Sequence, residues 1–526
     1  MSENLGDALD RAAALFPDRK AISDRGLRWN YRELHARVSS FDAGLDDLGL
    51  GEGDVVAILA LNSAAHLIAW LGIPRSGRVL NDLNTRLAPA ELEFILNDCG
   101  AKALLVDETM CDVGKSLAQK CTSIEHVIYA GVGQPPNGCN SFNEMLRQEG
   151  RPRRRLDPDA LAGIFYTGGT TGQPKGVMLT HRNLVANAKN SLLALGYDET
   201  DTYLHAAPMF HAADGTSTYA LTWTGGHHVT IPTFDPQLWL DTVSAEKVTC
   251  ALLVPTMINS LVNHPASADT DLSSLRSMFY GGSPMPAEVL RAAVAVFPCN
   301  WIQAYGMTEA APLVSCVPAE DHRHGATGLE PYAARLRSAG RPVIGVQAEI
   351  RRSDGSVAAI GEYGEIWVSG TNVMKGYWNR PDETAAALDE SGWYRTGDVA
   401  YADADGYMYV VDRAKDMIIS GGENVYSTEV ENAIYQHPAV LECAVFGVPD
   451  EKWGERVHAA IVLKSDADFG MDADSIVSHC RNLIAGYKVP RSIEFRKDPL
   501  PKSGAGKLLK RELREPYWQG RKRQIS

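Results

Sequence analysis

The sequence predicts an α/β fold: a large N-terminal part built of α/β subdomains plus a β-rich subdomain, then a smaller α+β C-terminal part. Three observations predict it. Apolar helical stripes alternate with short apolar runs over roughly the first 340 residues, the pattern of helices separating buried parallel strands. Beyond about residue 340, short strands follow one another with glycine turns between them. From about Asp416 helix and strand mix again over a stretch of domain size.

In chain order, Leu34, Val38, Phe41, Leu45 and Leu48 fall on one face of a helix over 31–48. A strand is expected at Val55–Leu61, a turn at Asn62-Ser63, then a helix ended by Pro74. The run from Val55 to Ile73 carries no formal charge, but Asn62, Ser63 and His66 interrupt it, so no membrane span is expected. A helix over Pro89–Asn97 leads through Gly100 to a strand at Ala103–Val106, and basic Arg151–Arg155 reads as a solvated loop. Strands are expected at Ile344–Arg351, Gly364–Ser369 and Gly406–Val411. The last part should hold helices Ser427–Gln436 and Asp474–Ala485 and strands Leu441–Val448 and His458–Leu463.

Composition narrows the function. Fifty-one basic against 65 acidic residues give a net charge of −14, so a general affinity for nucleic acid or anionic membrane is not expected. Nine cysteines without a C-x-x-C pair suit reduced thiols in the cytoplasm. The N-terminus shows no signal-peptide pattern. His227-His228 and His322/His324 lack the carboxylate or cysteine companions of a metal site.

The most informative segment is Tyr166-Thr-Gly-Gly-Thr-Thr-Gly-Gln-Pro-Lys-Gly176, after an apolar strand at Leu161–Tyr166 and before a helix starting near His181. Gly168, Gly169 and Gly172 permit close backbone approach to a ligand. Thr167, Thr170, Thr171 and Lys175 can donate to phosphate oxygens, which makes this a phosphate cradle. It lacks the spacing of a Walker A loop. Gly281-Gly-Ser-Pro284 is not a hydrolase elbow, because Met285 stands where glycine would be needed.

Four further segments occur in a fixed order: Tyr305-Gly-Met-Thr-Glu309, Tyr394-Arg-Thr-Gly-Asp398, Asp412–Gly422 and Pro501–Lys507. With the glycine-threonine loop they resemble the adenylate-forming superfamily of acyl-CoA synthetases, aryl-CoA ligases, luciferases and adenylation domains, over nearly the whole chain. The resemblance implies a large domain over 1–411, a hinge at 412–415 with Lys415 as pivot, and a small mobile C-terminal domain over 416–526. It implies that Lys507 and Thr308 act on the reacting carboxylate and α-phosphate, with His211 beside the acid. Tyr305 and the turn holding Gly282 and Ser283 would face adenine, Gly306 would belong to the ATP site, Asp398 would accept from the ribose hydroxyls, Arg413 would contact ribose or phosphate, and Glu309 would bind Mg²⁺, a hard cation suited to oxygen ligands. Gly421 and Gly422 would line the CoA path.

The implied function is an ATP-dependent carboxylate–CoA ligase with ATP, Mg²⁺ and CoA, acting on a hydrophobic fatty or aryl acid. The apolar, aromatic stretch 210–239 puts a fatty or related hydrophobic acid first, with an aryl acid such as a phenylpropenoate close behind. An adenylation protein that loads a carrier protein is the alternative, and a non-catalytic nucleotide-binding protein of the same fold is a third reading. The acid itself is not legible, and a homodimer is left open.

Overall fold

A computed structural model describes residues 4–167, 173–283, 285–413, 416–421, 423–464, 472–502 and 508–519. Gly168, Gly169, Thr170, Thr171, Gly172, Lys415, Gly422 and Lys507 lie outside the described residues.

Four sheets organise the chain. An eight-stranded sheet runs in the order Gly376–Tyr377, Lys175–Thr180, Leu161–Thr167, Val79–Asp82, Val55–Leu59, Ala103–Val106, His126–Tyr129, Asn140–Ser141, and its members from Leu161–Thr167 onward pair in parallel. A nine-stranded sheet has a parallel centre that includes Thr202–His205, Cys250–Leu253, Ser277–Gly281 and Asn300–Gly306. The strand-rich region forms a four-stranded antiparallel sheet of Val346–Arg351, Gly364–Gly370, Tyr394–Ala402 and Met408–Arg413. The C-terminal part holds a five-stranded sheet led by Val440–Asp450 and Gly454–Leu463.

The first long helix shows how sequence becomes element. Asn30 Oδ1 accepts from the Glu33 amide and Glu33 Oε2 from the Asn30 amide, each at 2.9 Å, a closed capping box that starts the helix Tyr31–Asp47. Leu34, Val38, Phe41 and Leu45 are fully buried. Each such side chain contributes about 1.5–3 kcal/mol of transfer free energy. Leu34→Ala would therefore cost about 2–5 kcal/mol.

One expectation needs correction, and two gain detail. Pro74 does not end its helix, which runs Ala64–Arg75. Proline removes the amide that would have bonded the Trp70 carbonyl, and the Tyr219 hydroxyl donates to that carbonyl instead, at 2.7 Å. The Trp70 ring is itself fully buried beside Phe165 and Tyr219, and its Nε1 donates to Asp82 at 2.6 Å.

Arg151–Arg155 is a loop, exposed at Arg151, Pro152 and Arg155, but Arg151, Arg153 and Arg154 are also partnered. Arg151 and Arg154 pair with Asp46, and Arg153 with Asp7 and Asp10, pinning the segment to the first two helices. A basic run cannot declare whether water or carboxylates 100 residues away will neutralise it.

The helix expected near His181 is present as His181–Leu195, and a strand that the sequence reading did not include comes before it. Lys175–Thr180 is a strand antiparallel to Leu161–Thr167, with Thr167 opposite Lys175, so the two strands flanking the glycine-threonine segment pair as a hairpin before the helix His181–Leu195. Lys175–Thr180 is hard to see in the sequence because this short strand runs on directly from the glycine-rich segment and shares Lys175 and Gly176 with it.

Candidate active site

The candidate residues cluster where strands end. Thr167 closes one parallel strand, Gly282 and Ser283 follow Ser277–Gly281, and Gly306 closes Asn300–Gly306. Carboxyl ends of parallel strands are the usual ligand crevice of such sheets. At Gly306 a Cβ would lie 1.9 Å from the Pro312 carbonyl oxygen, so only glycine lets the returning backbone pass.

The four-stranded sheet brings Asp398 and Arg413 directly opposite each other on neighbouring strands. Arg413 Nε meets Asp398 Oδ1 at 3.1 Å, and the Tyr305 hydroxyl donates to Asp398 Oδ2 at 2.6 Å. The Asp398 carboxylate is buried and Arg413 is half-exposed. Burial first, and the Asp398 charge second, push the Tyr305 phenol well above its usual value, so it stays a donor. Burial works against the Arg413 charge, but the Asp398 charge, and less so Glu309, outweigh it and hold the guanidinium charged.

A second cluster lies around Tyr377. Its hydroxyl donates to Glu309 Oε1 at 3.0 Å, and Lys175 Nζ stands 5.2 Å from its ring centroid. Burial, then the Glu309 charge, raise the Tyr377 phenol. Glu309 sits in the short turn Thr308–Ala310, fixed by the Met374 amide donating to its carbonyl at 2.8 Å. Lys175 Nζ also pairs with Glu383. Hard oxygen donors at Thr308 and Glu309, with Oε1 held by a neutral phenol, suit a divalent cation such as Mg²⁺.

His211 caps the short helix Ala212–Gly215, its Nδ1 accepting from the Ala213 amide at 3.3 Å. Beneath it runs a buried polar network. Asp214 accepts from Tyr203 at 2.8 Å and meets His205 Nδ1 at 2.7 Å, His205 Nε2 meets His228 Nδ1 at 3.0 Å, and His228 Nε2 meets Thr222 at 3.1 Å. Burial, then the neighbouring His205 and His227, pull His228 well below its usual value. Its neighbour His227 meets Ser23 Oγ at 2.9 Å, and His322 meets the Tyr280 hydroxyl at 2.9 Å.

At the C-terminal part, Gly421 has φ +63°, and a Cβ there would come within 2.6 Å of the Trp453 ring. Asp412, at the end of its strand, is buried and accepts from the Ser427 amide at 2.6 Å.

Sequence reasoning thus missed Tyr377, Glu383, Asp214 and His205. A signal for the first two was present: Gly376-Tyr-Trp-Asn-Arg-Pro-Asp-Glu-Thr384 places acidic residues just after a proline, the mark of a helix start, and Pro381–Ala387 is helical.

Residues 9–378 match the family description "AMP-binding enzyme", and residues 429–507 match "AMP-binding enzyme C-terminal domain". The chain is 39% identical over 517 residues to a feruloyl-CoA synthase of Amycolatopsis sp, covering 98% of this chain and 99% of that protein. It is 34% identical over 548 residues to a long-chain-fatty-acid–CoA ligase of Bacillus subtilis, covering 98% and 94%. Among solved structures, an o-succinylbenzoate CoA synthetase of Bacillus subtilis in complex with its acyl-adenylate intermediate superposes with a TM-score of 0.83, at 31% identity and 98% coverage of both chains.

Proposed function

The chain belongs to the AMP-binding enzyme family, and from that premise we propose how its residues divide the work of an acid–thiol ligase. The enzyme is an ATP-dependent carboxylate–CoA ligase that works through an acyl-adenylate. A carboxylate oxygen bonds to the α-phosphorus of ATP as the bond to pyrophosphate breaks. The CoA sulfur then attacks the acyl carbonyl, and AMP leaves.

The observation that carries the residue assignment is the joining of Tyr305, Asp398 and Arg413 beside the Tyr377–Glu309 pair, with Tyr305 and Arg413 at the carboxyl ends of their strands. Asp398 accepts from the ribose hydroxyls and Arg413 holds that carboxylate in place. The Tyr305 ring and the Gly282–Ser283 turn line adenine. Thr167 to Gly172 and Lys175 donate to the phosphates, and the Thr308 hydroxyl to the α-phosphate. Bound at Glu309, Mg²⁺ would supply charge neutralisation of the phosphates. Lys507 bridges the carboxylate and α-phosphate, and His211 borders the acid. Rotation about Lys415 between the unit 1–411 and the unit 416–526 then brings Gly421 and Gly422 to the pantetheine arm, while the closed site keeps water from the anhydride.

The acid is hydrophobic, and an aryl acid of the hydroxycinnamate type is the one to test first, given 39% identity to a feruloyl-CoA synthase. Fatty acids are the comparison arm, given 34% identity to long-chain ligases. No helix among the described residues is long and apolar enough to cross a membrane. The cytoplasm, where ATP and CoA are found, is the expected compartment, and sedimentation would decide between monomer and homodimer.

The test is a panel of aryl and fatty acids assayed for CoA thioester, AMP and pyrophosphate. Thioester from an aryl acid supports the reading; adenylate without thioester moves it to carrier loading. Lys507→Ala should lower adenylation by on the order of 100-fold or more. Unchanged ATP–pyrophosphate exchange in that variant would remove Lys507 from the reaction.

A further inference from the structure

A chain of charged and hydroxyl side chains encircles the base of the glycine-threonine hairpin. On one flank, Lys175 Nζ is paired with Glu383 Oε2. The same carboxylate lies 3.9 Å, through Oε1, from Arg380 Nε. Arg380 Nη2 reaches Asp98 Oδ1 at 3.2 Å, and Asp98 Oδ2 accepts from the Tyr166 hydroxyl, on the other flank, at 2.5 Å. Tyr166 and Lys175 stand on the two paired strands from which the loop springs.

The two flanks are held differently. Asp98 also supplies its backbone carbonyl to Trp378 Nε1 at 2.9 Å, so that corner is fixed by three groups. Glu383 has one lysine and one more distant arginine, and its side chain is 38% exposed. Glu383 Oε2 itself is buried, but with the two side chains 23% and 38% exposed water still screens the pair in part, and its strength is about 1 kcal/mol. A triphosphate, with several charges, competes easily against a single carboxylate. Arg380 stands ready to take the carboxylate that lets go.

We propose that Glu383 is a displaceable counter-ion for Lys175, a positioning residue that holds the ammonium in the empty site, yields it to the triphosphate and swings to Arg380. The inference rests on Lys175 being a phosphate donor, as assigned above. It sets a toll on triphosphate binding that AMP, lacking the β- and γ-phosphates, does not meet.

Calorimetric titration of ATP and of AMP into the full-length chain tests it. Glu383→Gln should bind ATP about 3- to 5-fold more tightly, the fold-change of a lost competing pair, with AMP affinity unchanged. Glu383→Ala should do the same, which guards against an effect peculiar to the amide. In a Lys175→Ala background Glu383→Gln should change nothing, while a purely structural role for Glu383 would still show. Thermal unfolding checks that each variant is folded. Unchanged or weaker ATP binding in folded Glu383 variants, or an equal shift for AMP, overturns the proposal alone. Failure of the wild-type chain to bind either nucleotide overturns the site reading along with it.

Discussion

The two sides of the candidate site are built on different principles. On the nucleoside side, Asp398 is buried, and Tyr305 and Arg413 occupy both of its oxygens at 2.6 and 3.1 Å. On the phosphate side, Lys175 and Glu383 form a partly exposed pair with an alternative arginine nearby. The first arrangement is preorganised: the strand register Asp398–Arg413 sets it before any ligand arrives. The second is exchangeable. A nucleoside is the same in ATP, acyl-adenylate and AMP, so a rigid grip serves every step. The phosphates change at each step, and a looser grip suits groups that must leave.

Asp398→Ala is the strongest way to break this comparison. It removes the shared acceptor and strands Arg413, and should lower kcat/KM for ATP on the order of 100-fold. A loss under threefold would mean that the nucleoside side is not preorganised by this residue. Tyr305→Phe removes one hydrogen bond to the same carboxylate and keeps the ring, so about a fivefold loss is expected. A loss as large as that of Asp398→Ala would place a chemical role on the hydroxyl. Tyr377→Phe frees Glu309 Oε1 and should raise the Mg²⁺ concentration for half-maximal activity by about 2- to 3-fold. An unchanged Mg²⁺ titration would separate Glu309 from the cation.

Smallest near neutrality is a pH effect on the scaffold that carries both sides. Burial holds His181, His227 and His322 at about 4, below the ordinary value near 6.5. These groups are neutral when folded and take up protons on unfolding, so their stability is complete above about pH 6.5 and drains as pH falls toward 4. Chemical denaturation at pH 7 and pH 5 should show the loss; equal stability would show that the three rings are already protonated in the folded chain.

Much of this was legible in the sequence. Leu34, Val38, Phe41 and Leu45 announced their helix, and Ala103–Val106 is the strand that its composition predicts. The motif residues Tyr305, Asp398 and Arg413 could be picked out, but that the first two share a hydrogen bond across 93 residues could not. Local periodicity carries no information about which distant carboxylate meets which arginine. The same blindness hid the partners of Arg151–Arg154 and left Glu383 unmarked beside Lys175. Pro74 misled for a related reason: the hydroxyl that satisfies the freed carbonyl belongs to Tyr219.

The contact between Asp412 and Ser427 has a kinetic consequence. Ser427 opens the helix Ser427–Tyr435, and the residue before it, Tyr426, offers no side-chain cap. The helix borrows its cap from a carboxylate on the last strand of the four-stranded sheet, which also complements the positive end of the helix. Any swing of the C-terminal part away from that strand uncaps the helix. The Ser427 amide proton is then a stopwatch: its exchange with solvent deuterium ticks once for each excursion, and nucleotide that slows the excursions should slow the clock.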